Sequence, residues 1–290
     1  MRFFNTKTFK TLGALVGTAA LVGALALTGC GGNSGSSNDG NAASSEDKTI
    51  TVAAVPTPHA EILNDVVKPA LEKEGYTLEV KEFNDYVQPN VAVTEGEADA
   101  NYFQHEPYLD SYNKEKGTDR VGVTAVHYEP YGIYAGSKKS LDDIADGDKI
   151  SVPNDTTNEA RALLLLQQAG VITLKDGAGI NATTKDIADN PHNIKIVELE
   201  AAQIPRSLDD VAFAVINGNY AMEAGFTPSK DALVLEDANG EAAQTYANLL
   251  VTTPELKDSA KIQALASALT SDEVRDYINQ NYEGAVLPIF

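Results

Sequence analysis

The chain has 290 residues, with 22 Lys and Arg against 42 Asp and Glu, one Cys, no Trp and 43% apolar residues. That apolar share excludes a wholly disordered chain, and the length suits one large domain or two lobes of roughly 120 residues each. A formal charge of −20 argues against nucleic-acid binding, which needs a basic face, and a single Cys excludes a disulfide scaffold or a cysteine metal cluster.

Residues 1–29 carry Arg2, Lys7 and Lys10, then an apolar run from Leu12 to Leu27 broken by Gly13, Gly17 and Gly23, with no acidic residue. A charged start and a short apolar core form the layout of a secretory signal peptide. The run is at the short limit for crossing about 30 Å of hydrocarbon, and its glycines weaken that alternative. It ends in Leu27-Thr28-Gly29-Cys30, which resembles the lipobox of bacterial lipoproteins. In that class the signal is cut before the Cys, whose sulfur receives a diacylglyceryl group, so Cys30 is the expected lipidation site. Two or more acyl chains (palmitate-like) anchor a protein stably in a membrane, whereas one does not. Residues 31–48, GGNSGSSNDGNAASSEDK, follow; 12 of the 18 are Gly, Ser or Asn, a flexible tether.

From Ile50 onward, strand and helix patterns alternate. A strand over 50–55 precedes a helix over 62–71 that Pro69 interrupts, and 76–80 alternates as a strand. The spacing predicts a helix at 87–96, a strand at 98–103, a helix at 107–116 and strands at 120–127 and 131–135. A strand at 149–152, a helix at 157–169, a strand at 194–199, a helical segment at 201–209 and a strand at 211–216 come next. Strands at 232–235 and 246–252 and helices at 256–269 and 272–282 complete the chain. This order predicts an α/β fold with open, largely parallel sheets covered by helices.

In such sheets ligands bind beyond the carboxyl ends of the strands. The residues there are aromatics and amides, and no nucleophile is paired with a base, so an enzyme is not expected. In Asn154-Asp155-Thr156-Thr157-Asn158-Glu159-Ala160-Arg161, Thr156 and Glu159 fit a capping box. Asn158 and Arg161 then share a helix face, where the helix start and a guanidinium fork suit a carboxylate. An ordinary helix start whose Arg pairs with a surface Glu is the other reading. Tyr86, Phe103, His105 and Tyr108 could wall an apolar slot, or be core rings with a capping His. Asn217 is either a turn residue or an amide at a strand end. The four His include no close pairing, and no nucleotide-binding glycine motif occurs, so neither a metal nor a cofactor is expected.

Longer stretches carry a resemblance: FNDYVQPN (83–90), ANYFQHEPYLD (100–110), VHYEP (126–130), PNDTTNEARALLLL (153–166), KIVELEAAQIPRSLDD (195–210) and AVINGNYA (214–221). Across nearly the whole mature chain, the sequence resembles the methionine-binding lipoproteins of ABC importers, the MetQ/NlpA-type family; Tyr131 departs from it mildly. The resemblance implies a two-lobed periplasmic-binding-protein fold of type II-like form with the ligand cleft between lobes. It implies lobe 1 over 49–129 and 230–290, lobe 2 over 130–229, with crossings near 128–131 and 226–248. By the same resemblance, Tyr86, Phe103, His105 and Tyr108 hold a methionine side chain, and Asn158, Arg161 and Asn217 hold its amino-acid end. The implied role is capture of L-methionine at the extracytoplasmic face of the cell membrane and delivery to an importer permease with its ATPase subunits. D-methionine, a methionine dipeptide or another apolar amino acid are alternatives within the fold. A metal-binding lipoprotein using His59, His105 and His127 is the alternative of another class.

Overall fold

A computed structural model describes residues 47–238 and 241–290; the expected signal segment, Cys30 and all but the last two tether residues lie outside the described residues. No helix among the described residues is long and apolar enough to cross a membrane.

The first sheet begins with β1 (Thr49–Ala54) and β2 (Thr77–Glu82), joined through two π-helical turns, Pro56–Ala60 and Leu63–Val67, and α1 (Lys68–Lys73). Pro69 lies just past the second turn, where its missing N–H removes a helical bond and a wider turn is accommodated. Next come α2 (Gln88–Thr94), β3 (Ala100–His105), α3 (Glu106–Lys116) and β4 (Val121–Tyr128). All six residues of β3 are buried, as a central strand requires.

After residues 129–131 the chain enters a second sheet with β5 (Gly132–Ala135), β6 (Lys149–Pro153) and α4 (Thr156–Gln168). A short ribbon of β7 (Thr173–Leu174) and β8 (Ile187–Asp189) precedes β9 (Lys195–Leu199), the 3-10 segment Ala201–Asp210 and β10 (Phe213–Ile216). Two short helices, α5 (Gly218–Glu223) and α6 (Pro228–Asp231), lead to β11 (Ala232–Leu235). Strand β11 pairs with β5, so these residues join the second sheet, where the sequence had placed them with the first lobe. The chain then returns through α7 (Glu241–Thr245) to β12 (Asn248–Thr252), α8 (Ala260–Leu269), α9 (Asp272–Asn281) and β13 (Leu287–Pro288).

The strand orders are β13-β4-β12-β3-β1-β2 and β11-β5-β10-β6-β9. The sheets are mixed, not largely parallel. β1 pairs in parallel with β2 and β3, and β6 with β9 and β10, but β12 runs antiparallel between β3 and β4. The cause is the path: β12 arrives from the second sheet, not over a crossover helix, so nothing imposes the parallel sense. Each sheet has its own apolar core, one around Ile50, Leu63 and Leu265 and the other around Ile150, Leu163 and Phe213.

Candidate functional site

The carboxyl ends of β2, β3 and β4 and those of β6 and β10 deliver residues to one cavity. All seven residues singled out in the sequence, Tyr86, Phe103, His105, Tyr108, Asn158, Arg161 and Asn217, line it. Gln104, Glu129, Gly218, Asn219 and Asn248 complete the lining.

On the first-sheet side the rings of Tyr86 and Phe103 lie 5.9 Å apart, and Tyr108 meets each of them edge-on at 6.0 Å. His105 is the N-cap of α3: its Nδ1 accepts from the backbone N–H of Tyr108, while its Nε2 lies 3.1 Å from Asn158 Oδ1. Slot and cap are thus compatible roles for the same residues. Burial, aided by Arg161, pushes the His105 pKa down to about 3, so the ring is neutral.

On the other side, α4 is capped by Asp155, whose carboxylate accepts from the N–H and the side-chain amide of Asn158. The expected Thr156–Glu159 box is not formed. Glu159 instead accepts from the backbone N–H of Thr184, which frees the cap position for the residue before. Asn158 Oδ1 also accepts from Asn217 Nδ2 at 3.3 Å, and Tyr131 donates its hydroxyl to Asn217 Oδ1 at 3.0 Å.

Arg161 is 4% exposed and does not pair with a surface Glu. Its Nε and Nη2 donate to the partly buried Glu236 carboxylate, and Nη2 also donates to the Glu129 carbonyl at 2.9 Å. The guanidinium lies 4.3 and 4.6 Å from the ring centres of Tyr246 and Tyr131. Burial opposes its charge, but Glu236 more than offsets this and holds the pKa above the usual Arg range. Burial likewise works against an ionised Glu236, and Arg161 outweighs it, so that carboxyl is held down.

Beside the cavity lies a buried network of which the sequence had named only His59 and His127, as members of a metal set. His127 Nε2 is 2.8 Å from Glu129 Oε1, its Nδ1 is bonded to the Tyr102 hydroxyl, and His59 Nε2 is 3.0 Å from Asn248 Oδ1. His59, His127 and Glu129 bring donor atoms within 4.8 Å of one another, so Glu129 replaces His105 in the set considered for a metal. His59 Nε2, both ring nitrogens of His127 and Glu129 Oε1 already have protein partners, which makes the group a hydrogen-bonded network; His59 Nδ1 is buried without one. Burial pushes the pKa of His59 down to about 4 and that of His127 to about 3, while it raises that of Glu129. The one sequence signal for this network was His127-Tyr128-Glu129, where an extended backbone places the first and third side chains on one face.

Two α/β lobes around a cavity of aromatics, amides and one buried guanidinium define a substrate-binding protein. The NlpA lipoprotein family model matches residues 50–290, and the chain belongs to that family. D-methionine-binding lipoprotein MetQ of Salmonella typhimurium is 42% identical over 286 residues, covering 98% of each chain. A crystallised lipoprotein from Ruminococcus gnavus is 60% identical and superposes with a TM-score of 0.83, covering 84% of this chain and 100% of its own. A nutrient binding protein from Burkholderia cenocepacia, solved bound to methionine, is 47% identical with a TM-score of 0.79, covering 83% and 100%.

Proposed function

We propose that this chain is an extracytoplasmic lipoprotein that captures free L-methionine in its interlobe cleft and delivers it unchanged to an ABC importer. The observation that carries the ligand is the Burkholderia relative, 47% identical across its whole length and bound to methionine. The lobes are built on the two sheets, with crossings at residues 129–131 and 236–247. The membrane anchor is Cys30, and the importer's permease and ATPase subunits are the partners.

Within the cavity, Tyr86, Phe103, His105 and Tyr108 enclose the thioether chain; Arg161, Asn158 and Asn217 take the carboxylate. Glu129 is the one carboxylate in the lining and takes the ammonium, aided by Asn219 and Asn248. The energetics require both ends. Burying the side chain contributes about 1.5–3 kcal/mol, whereas micromolar affinity needs about 8.2. Charge-assisted hydrogen bonds to the zwitterion supply the difference, and sulfur–aromatic contacts add selectivity.

Calorimetry with L-methionine, D-methionine, a methionine dipeptide and leucine tests this. One site of about micromolar affinity for L-methionine is expected. No heat with L-methionine beside strong heat with another of these ligands would overturn the substrate.

A further inference from the structure

We propose that His127 is a positioning residue for ligand capture: backed by Tyr102, it fixes the Glu129 carboxylate where the ligand's ammonium is received. The inference rests on the methionine reading of the cleft and deepens it.

A zwitterion presents two ends about one carbon apart. Arg161 serves the carboxylate end, so the ammonium needs an anion close by that does not collapse onto the guanidinium. Glu129 is near enough to do so, since Arg161 Nη2 already bonds its backbone carbonyl at 2.9 Å. Its side chain is 7% exposed and is held in the other direction by His127 Nε2 at 2.8 Å. The backbone N–H of Asn219 also donates to it. Opposite stands Gly218, where any Cβ would lie 2.8 Å from Glu129 Oε2, so the carboxylate keeps this position only because that residue has no side chain.

The tautomer follows from the partners. An ionised carboxylate only accepts, so His127 Nε2 carries the hydrogen; a neutral imidazole then has a bare Nδ1, which takes the Tyr102 O–H. Tyr102 thereby selects the form of His127 that can hold Glu129. His59 does not share this task. Its Nε2 is 3.6 Å from Glu129 Oε1 but 3.0 Å from Asn248 Oδ1, so its N–H fixes a lining amide instead. The arrangement is that of an oriented outer shell behind a recognition group, which restricts the substrate class to free amino acids with an unblocked ammonium.

The test compares L-methionine with 4-(methylsulfanyl)butanoate, the same molecule without its amino group, on the full chain in detergent. His127→Leu is expected to weaken L-methionine binding roughly tenfold, the order of one lost hydrogen bond to a charged group, and to leave the butanoate unchanged. His127→Gln, which can donate an amide N–H to Glu129, should recover most of the loss. A purely structural role would weaken both ligands equally, and that result, or unaltered L-methionine affinity in His127→Leu, overturns the proposal. If His127→Leu does not fold, Tyr102→Phe carries the same comparison, with a loss of about threefold confined to L-methionine. An unsubstituted chain that binds neither compound would refute the cleft reading itself, which separates that failure from a failure of His127.

Discussion

Glu236 grips Arg161 from 75 positions along the chain, with Arg161 Nε 3.0 and 3.1 Å from its two carboxylate oxygens. The arginine is therefore already charge-balanced inside the protein, and a ligand carboxylate joins an existing pair. Removing one member of a buried pair costs roughly 3–5 kcal/mol because the other charge is left alone. Glu236→Gln is expected to lower the melting temperature, and L-methionine, bringing its own carboxylate, should restore more of it than in the unsubstituted chain. Melting curves followed by tyrosine emission check both effects.

Arg161 has its Nε and Nη2 committed to Glu236 and to the Glu129 carbonyl. Arg161→Ala removes the fork together with its charge, and at least about a hundredfold loss of L-methionine affinity is expected, the scale of truncating one partner of a buried charged pair. Arg161→Lys should fall between, since an ammonium keeps the charge without the fork. Calorimetric affinity within tenfold of the unsubstituted value in Arg161→Ala would remove Arg161 from the site.

Acid should destabilise the fold. Burial lowers the pKa of His59 to about 4 and those of His105 and His127 to about 3. An unfolded His protonates near 6.5, so as pH falls from there the unfolded chain binds more protons and stability falls. One such ring removes on the order of 3 kcal/mol by pH 4. Glu236 acts in the same direction: its folded pKa is lowered, so its contribution is complete above the unfolded value and is lost as pH falls through the folded one. Glu129, Asp155, Glu159 and Glu223, all raised by burial and Glu159 to about 7, work the opposite way and offset part of this loss. A melting temperature that declines from pH 6.5 to 4 is expected; a level one contradicts this.

At Gly218 an added Cβ would lie 2.7 Å from Glu129 Cβ and 2.8 Å from its Oε2. Gly218→Ala should cost about 1–3 kcal/mol of stability through overpacking and weaken L-methionine roughly tenfold or more by displacing Glu129. Chemical unfolding and calorimetry measure the two effects separately.

Much of this was legible in local pattern, and the misses have physical causes. The start of α4 could be read from NDTTNEAR, yet the cap is Asp155 and not Thr156. The competition was decided by Thr184, which draws Glu159 away from 25 positions downstream. Each of the seven cavity residues stood out by type and by its place after a strand. That they share one cavity came only with the resemblance, because local spacing does not say which strand ends face each other. Glu236 sits in an unremarkable polar stretch, and its pairing with Arg161 follows from how the chain returns between sheets. The antiparallel sense of β12 has the same origin.

The chain passes between its sheets in two places, and each passage supplies a carboxylate: Glu129 just after β4 and Glu236 just after β11. Groups beside a pivot travel least when the parts on either side swing. The contacts among Arg161, Glu129 and Glu236 at these passages would keep their spacing in an open molecule, whereas the rings at Tyr86 and Tyr108 are carried by elements of the first sheet alone. A ligand would then dock by its charged head on a nearly stationary cradle, and the tail would be shut in afterwards.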